Sequence, residues 1–386
     1  MKRFKVIFLS LAAGSMAFYG CKKGAINDEL ASSQKISAKA TTSETSSGVV
    51  YVQSNQASGN EVLVYTRSSS GSLSPSSSFA TGGNGTGAGT GSQGSVILHE
   101  FGANTYLYAV NAGSNEITAF LVTGNTLTWV DKVSSHGTTP ISVTAHNDLL
   151  YVVNTGGTGN IGGFHIAADG QLTFLENSTR ALSDDNAGPA QIQFNNAGTQ
   201  LVVTEKNTNR ISTYSVHADG LTDNVSSHPA IGITPFGFGF DNHDQLLVTD
   251  AFGGAAGQSA VTSFNLSNAG SLSLLDGPVG TNQTSACWLT ITNNGKYCYA
   301  ANTGSGTISG YSIRDGQLTL LNANGVTAIT GTTPGDITLS VNSKFLYNVN
   351  STSHSITEFR ANEDGSLDAI GSVNGLPVGA VGIAAK

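Results

Sequence analysis

Glu205 and Asp250 are the residues whose placement first invites chemistry. Each ends a short apolar strand, QLVVTE or QLLVTD, and the two lie 45 residues apart. Five comparable strands end instead in Ser54, Asn111, Asn154, Asn302 and Asn350. Two neighbouring carboxylates can share a proton, hold a cation or serve as acid and base. Lys206 and Arg210 follow Glu205 on the same loop and could pair with the carboxylates or with an anionic ligand. The alternative for all four is a surface ion-pair cluster. Gln191, Phe236, Cys287 and Trp288 open nearby strands and could line the same mouth, although packing is the favoured role of Trp288. Asn154 and Asn302 are candidate ligand contacts too, but such strand-end side chains also cap their own turns.

Other chemistries find little support. The eight histidines fall mostly in loops, with no HxH or HExxH spacing, so no transition-metal site and no cofactor is expected. The glycine-rich run at 82–94 lacks the GK[ST] ending of a phosphate cradle and reads as a loop. There is no GxSxG elbow. Cys287 has apolar flanks and no histidine near it in sequence, which argues for an inert thiol.

What must position these residues is a repeat. The seven apolar strands are VVYVQS, YLYAVN, LLYVVN, QLVVTE, QLLVTD, YCYAAN and FLYNVN, with spacings of 43 to 57 residues between their ends. After each comes a polar turn and another strand, as in EITAFLV, RISTYSV or TISGYSI. A second turn and a further strand follow, as in ADGQLTFL, RDGQLTLL and EDGSLDAI. Asp-Gly and Ala-Gly supply positive φ at those turns. Before each shared strand lies an apolar stretch such as AQIQF, FGFGF, CWLTIT or DITLS. Four antiparallel strands per unit and seven units predict an all-β, seven-bladed β-propeller over residues 49–386. The first unit lacks its own first strand, and VGAVGIAAK at 378–386 is the expected replacement, closing the ring from the C-terminus. In that ring the polar strand ends would surround one mouth of the central channel.

Cys287 and Cys298 should not be bridged. A hairpin turning at Asn294-Gly295 sets Cys298 opposite Ile291, which leaves Cys287 roughly 13 Å away by strand rise, against about 7 Å for a disulfide. Two free, buried thiols are expected.

The chain opens with MKRFK, an apolar run too short for a stable span, and FYGC ending at Cys21. This resembles a bacterial lipoprotein signal over residues 1–20, with lipidation at Cys21. Residues 21–48, poor in large apolar side chains, read as a flexible tether. The expected location is the bacterial cell envelope, with membrane contact through the lipid anchor only. Lys22-Lys23-Gly24 favours a periplasm-facing anchor. The net charge is −8, and removing residues 1–20 would leave about −11. That opposes nucleic-acid binding, which needs a basic surface. Charged residues are only 11% of the chain, less than half the usual share of about 25%. A monomer with a small-molecule ligand is expected.

The repeats resemble the lactonase-like seven-bladed propeller family, which includes 6-phosphogluconolactonases and 3-carboxymuconate cyclases. The resemblance rests on YVVN-type strand ends, ADGQLTFL-type turns, the runs GPAQIQFNNAGTQLVVTEKNTNRISTYSV and ACWLTITNNGKYCYAANTGSGTISGYSI, and TGGNGTGAGTGSQG. It implies lactone hydrolysis or cycloisomerisation on a small anionic substrate. The family's enzymes resemble one another in a GPRH motif opening blade four and a glutamate ending the next strand. Here the motif reads Gly188-Pro189-Ala190-Gln191, and the glutamate is Glu205. A histidine opening an earlier blade is replaced by Pro140-Ile141-Ser142. Two readings follow. One is a hydrolase or cycloisomerase with a rearranged site, Glu205 serving as base and Lys206 or Arg210 as cation. The other is a non-catalytic propeller that binds a small anion, a glycan or a protein.

Overall fold

A computed structural model describes residues 47–386. The leader, Cys21 and almost all of the tether lie outside the described residues. Seven sheets of antiparallel strands follow one another, as the repeat predicts. In blade four they are Pro189–Phe194, Gln200–Glu205, Arg210–Ser215 and Ser226–Pro229. Blade five runs from Pro235–Phe240 through Gln245–Asp250 and Ala260–Leu266 to Leu272–Gly280. Ring closure is as expected: Val381–Ala385 pairs antiparallel with Gly48–Gln53, setting Tyr51 opposite Ala384. Without that strand, Gly48–Gln53 would be an open edge beside the channel. No helix among the described residues is long and apolar enough to cross a membrane.

The apolar face of each blade packs on its neighbour, so the core is a set of seams and not a single centre. A repeated tyrosine locks several seams. Tyr151, Tyr299 and Tyr347 on second strands each donate through the hydroxyl to a glycine carbonyl in the outer turn of the next blade, Gly220, Gly365 and Gly71, at 2.6, 3.0 and 2.7 Å. Burying a phenol ring stabilises through its area, and the bonded hydroxyl removes the cost of a stranded polar group. Blade four begins its second strand with Gln200 instead, whose Nε2 reaches Asn268 O of blade five at 2.9 Å.

First strands line the channel. Most start with an irregularity at the mouth, where the ladder skips one or two residues: between Pro140 and Ser142, Pro189 and Gln191, Pro235 and Phe238, Ala286 and Trp288, and Pro334 and Ile337. A bulge leaves backbone groups without ladder partners, and other groups must take them up. Cys287 and Cys298 are free and buried, and Cys298 sits opposite Ile291 as expected.

Candidate functional site

The strand-end side chains do not surround the channel. They are buried inside their blades, because second strands are one layer out from the first strands that form the wall. Each bonds to the third strand beside it. Asn111 donates to Thr118 Oγ1 at 2.8 Å, Asn302 to Ser309 Oγ at 2.9 Å and Asn350 to Thr357 Oγ1 at 2.7 Å. Asn154 donates to Asn160 Oδ1 at 2.7 Å. Asn154 and Asn302 are therefore blade-internal, and not ligand contacts at a mouth.

Glu205 takes the same internal place. Its carboxylate accepts from Ser183 N at 3.0 Å, Ser212 Oγ at 2.7 Å, Thr208 Oγ1 at 2.9 Å and the Ser183 hydroxyl. With four donors and no solvent exposure it holds its turn together and faces no shared pore. Asp250 is also buried, but one side-chain donor reaches it, Thr262 Oγ1 at 2.5 Å. Gly232 packs so closely that a Cβ there would meet the Asp250 carboxyl carbon at 2.0 Å. Burial pushes this carboxyl up to about 7, partly opposed by Thr262. The structure thus does not join Glu205 and Asp250 into a pair. Arg210 starts its strand in register with Glu205 and donates to Ser227 Oγ at 3.4 Å.

The glycine-rich loop is a strap across the channel mouth. Its Ser92 Oγ donates to Ile141 O at 3.0 Å, Gln93 N to Ala190 O at 3.0 Å, and Val143 N donates to Gly94 O at 2.9 Å. The Gln93 amide mimics a strand partner, accepting from Leu289 N at 3.0 Å and donating to Leu289 O at 2.7 Å. Gly94 N reaches Asp336 Oδ2 at 3.3 Å. Blades three, four, six and seven are thereby bridged. Gly237 of blade five admits the strap, since a Cβ there would meet Gln93 Oε1 at 2.2 Å. The strap supplies partners that bulged first strands lack.

Gln191 does the same work from within a blade. It accepts from Phe238 N at 2.8 Å and donates to Phe238 O at 3.0 Å and Gln193 Oε1 at 2.8 Å. Its polar atoms serve the blade-five bulge.

What the structure does bring together is Lys206, Phe236, Cys287 and Trp288. Phe236 and Cys287 are buried with Ala190 and Ala251, and Trp288 packs on them. The Phe236 and Trp288 rings lie 5.0 Å apart at 57°. Lys206 Nζ stands 5.0 Å above the Phe236 centroid and donates to Gly91 O of the strap at 2.6 Å, in a solvent-accessible bond. Trp288 Nε1 donates to Ser92 O at 2.9 Å. Desolvation brings the Lys206 ammonium down to about 8. Burial pushes the Cys287 thiol up to about 11, with Thr303 and Lys206 pulling the other way, so the thiol is protonated and inert near neutrality. Among the described residues, no group of three or more histidine, cysteine or acidic side chains could hold a metal ion.

One residue was missed from sequence. Asp336 lies in the wall of the channel, buried, and burial raises its carboxyl to about 7 against the pull of Gly94 and Ile337 amides. The signal was present, a lone acid opening the apolar run DITLS.

Seven antiparallel sheets closed into a ring define a seven-bladed β-propeller. The model of the lactonase seven-bladed β-propeller family matches residues 51–183 and 256–379, and the chain belongs to that family. Among curated proteins, none is similar enough in sequence to match. Solved structures share the fold. One is a candidate 6-phosphogluconolactonase from Bacteroides fragilis, 17% identical with a TM-score of 0.68 over 90% of this chain and 99% of that one. A Lactobacillus plantarum protein is 19% identical with a TM-score of 0.70, covering 88% and 99%. The periplasmic gluconolactonase of Pseudomonas aeruginosa is 17% identical with a TM-score of 0.66, covering 87% and 98%.

Proposed function

We propose that the protein binds and opens a small sugar-acid lactone at the mouth cluster, with Lys206 as the proton carrier. The observation that carries this reading is Lys206, held over Phe236 against the strap with its ammonium brought down to about 8. A sugar ring stacks on the part-exposed Trp288 ring beside the lysine. Near neutrality a share of Lys206 is uncharged and can take a proton from water. The water oxygen then bonds to the lactone carbonyl carbon, the ring C–O bond breaks, and the proton returns from Lys206 to the departing oxygen. The names of the Bacteroides fragilis and Pseudomonas aeruginosa proteins support the substrate class. A monomer anchored in the cell envelope through Cys21 is part of the same proposal.

A second reading, a non-catalytic binder of the same lactones, is favoured by Glu205. The family's glutamate is here saturated by four donors, and Ala190 and Gln191 replace the motif's arginine and histidine. Purified protein is tested on a panel of sugar-acid lactones, with and without a 6-phosphate, by pH-stat and by Trp288 fluorescence in a Trp129→Phe background. Lys206→Met is expected to lower turnover and quenching by about tenfold or more, while Glu205→Gln retains both. Quenching without turnover would establish the binder; neither signal would remove this cluster as the site.

A further inference from the structure

Beneath the strap the channel holds a separate cavity of about 440 Å³. Gln93 and Gly94 roof it, and the seven first strands wall it. Far from the strap its wall includes Gln193, Thr290, Ile291 and Thr338, all half-exposed, so water reaches it from the end opposite the mouth. Its size is that of a small-molecule site. The strap separates it from Lys206.

Its chemistry differs from that of the mouth. Among the described residues, Asp336 is the one titratable side chain in its wall, with no lysine, arginine or histidine lining it. Two backbone amides reach the carboxylate, Ile337 N at 3.0 Å and Gly94 N at a long 3.3 Å. Glu205, equally buried, takes four donors. A carboxylate has about four lone-pair sites, so Asp336 retains acceptor capacity in a low-dielectric wall. Phe238 and Phe240 turn their rings into the seam between blades four and five, and the alternate Gly237 and Gly239 face the channel, which leaves the cavity room beside an apolar wall of Leu289 and Ile291. A carboxylate and threonine hydroxyls in an otherwise apolar wall, with no cation, suit an alkylammonium group: the oxygens meet the ammonium and the apolar side chains meet the alkyl chain.

We infer that this cavity is a second binding site, distinct from the mouth cluster, for a small organic cation whose ammonium is met by Asp336. An anion is disfavoured there, because Asp336 would repel it and no positive group would offset its desolvation. Binding holds Asp336 ionised. Because burial raises the free carboxyl to about 7, affinity weakens as pH falls through that value, and complex formation below it releases a proton.

The test is calorimetric titration of the full chain with n-butylammonium chloride, with n-butanol as the neutral control. Saturable binding of the ammonium but not of the alcohol is expected. Asp336→Asn should weaken it by about tenfold or more, and Thr338→Phe should block the cavity with Asp336 intact. Lys206→Met should leave it unchanged, which separates this site from the proposed lactone site. The inference is overturned if n-butylammonium shows no saturable binding, or if Asp336→Asn binds as well as the parent. It also falls if Lys206→Met abolishes binding, or if sodium or calcium chloride displaces the probe at equal concentration, which would make the site a general cation well.

Discussion

Blades four and five differ as a pair from the rest of the ring. Elsewhere the second strand carries a tyrosine that locks the next seam, as Tyr151, Tyr299 and Tyr347 do, and most such strands end in an asparagine bonded to the third strand. The second strands of blades four and five begin with Gln200 and Gln245 and end with Glu205 and Asp250. The family model matches residues on either side of 184–255, the stretch that holds blade four and the first two strands of blade five and supplies Lys206 and Phe236. One backbone frame thus tolerates a different set of side-chain locks where the mouth cluster is built. What it demands at the strand end is hydrogen bonding, which amide and carboxylate both provide.

Three substitutions press on that comparison. The largest effect is expected for Glu205→Ala, which strands Ser183 N and three hydroxyls in a buried turn; a loss of about 3 kcal/mol by urea denaturation is expected. A loss below about 1 kcal/mol would mean that the blade-four lock does not bear on stability. Tyr151→Phe is expected to cost about 1 kcal/mol, because Gly220 O loses its 2.6 Å donor in a buried seam while the ring remains. An unchanged unfolding midpoint would show that the tyrosine acts through packing alone.

Asp250→Asn should have the smallest effect, and its sign depends on pH. The carboxyl ionises at about 7 when folded and at ~3.9 when unfolded. The folded state therefore holds the extra proton between those values, so this group's contribution to stability falls as pH rises from about 4 to about 7. The amide in Asp250→Asn removes that decline, and it can donate to Thr262 Oγ1 as the asparagines of other blades do to their partners. Melting temperatures across pH 4 to 8 should show a flatter profile for the variant. A profile parallel to the parent's would place the titration elsewhere.

The ring and its closure were legible because they rest on short-range patterns repeated seven times: alternation, turn dipeptides and one missing first strand. The free thiols were legible because hairpin register is arithmetic. The site was not, for two reasons. Glu205 and Asp250 were read as facing a pore, although the sequence gives no distance from the axis and second strands stand behind the wall. The run at 82–94 reads as a loop, but its partners, Ile141, Val143, Ala190, Leu289 and Asp336, are far away in sequence and have no shared motif. Lys206, Phe236 and Trp288 stand at a strand end and at strand starts, positions that the repeat makes legible, and the structure brings them together with Cys287. Asp336 was overlooked in an apolar run where one acid should have drawn notice.

The pairing of Val381–Ala385 with Gly48–Gln53 also has a temporal consequence. During synthesis Gly48–Gln53 waits for Val381–Ala385, while the intervening blades can already stack. Until then the inner edge of Gly48–Gln53 is available to any matching tail. At high concentration a neighbouring molecule's tail could fill it, giving exchanged dimers whose two rings are each intact but jointly owned.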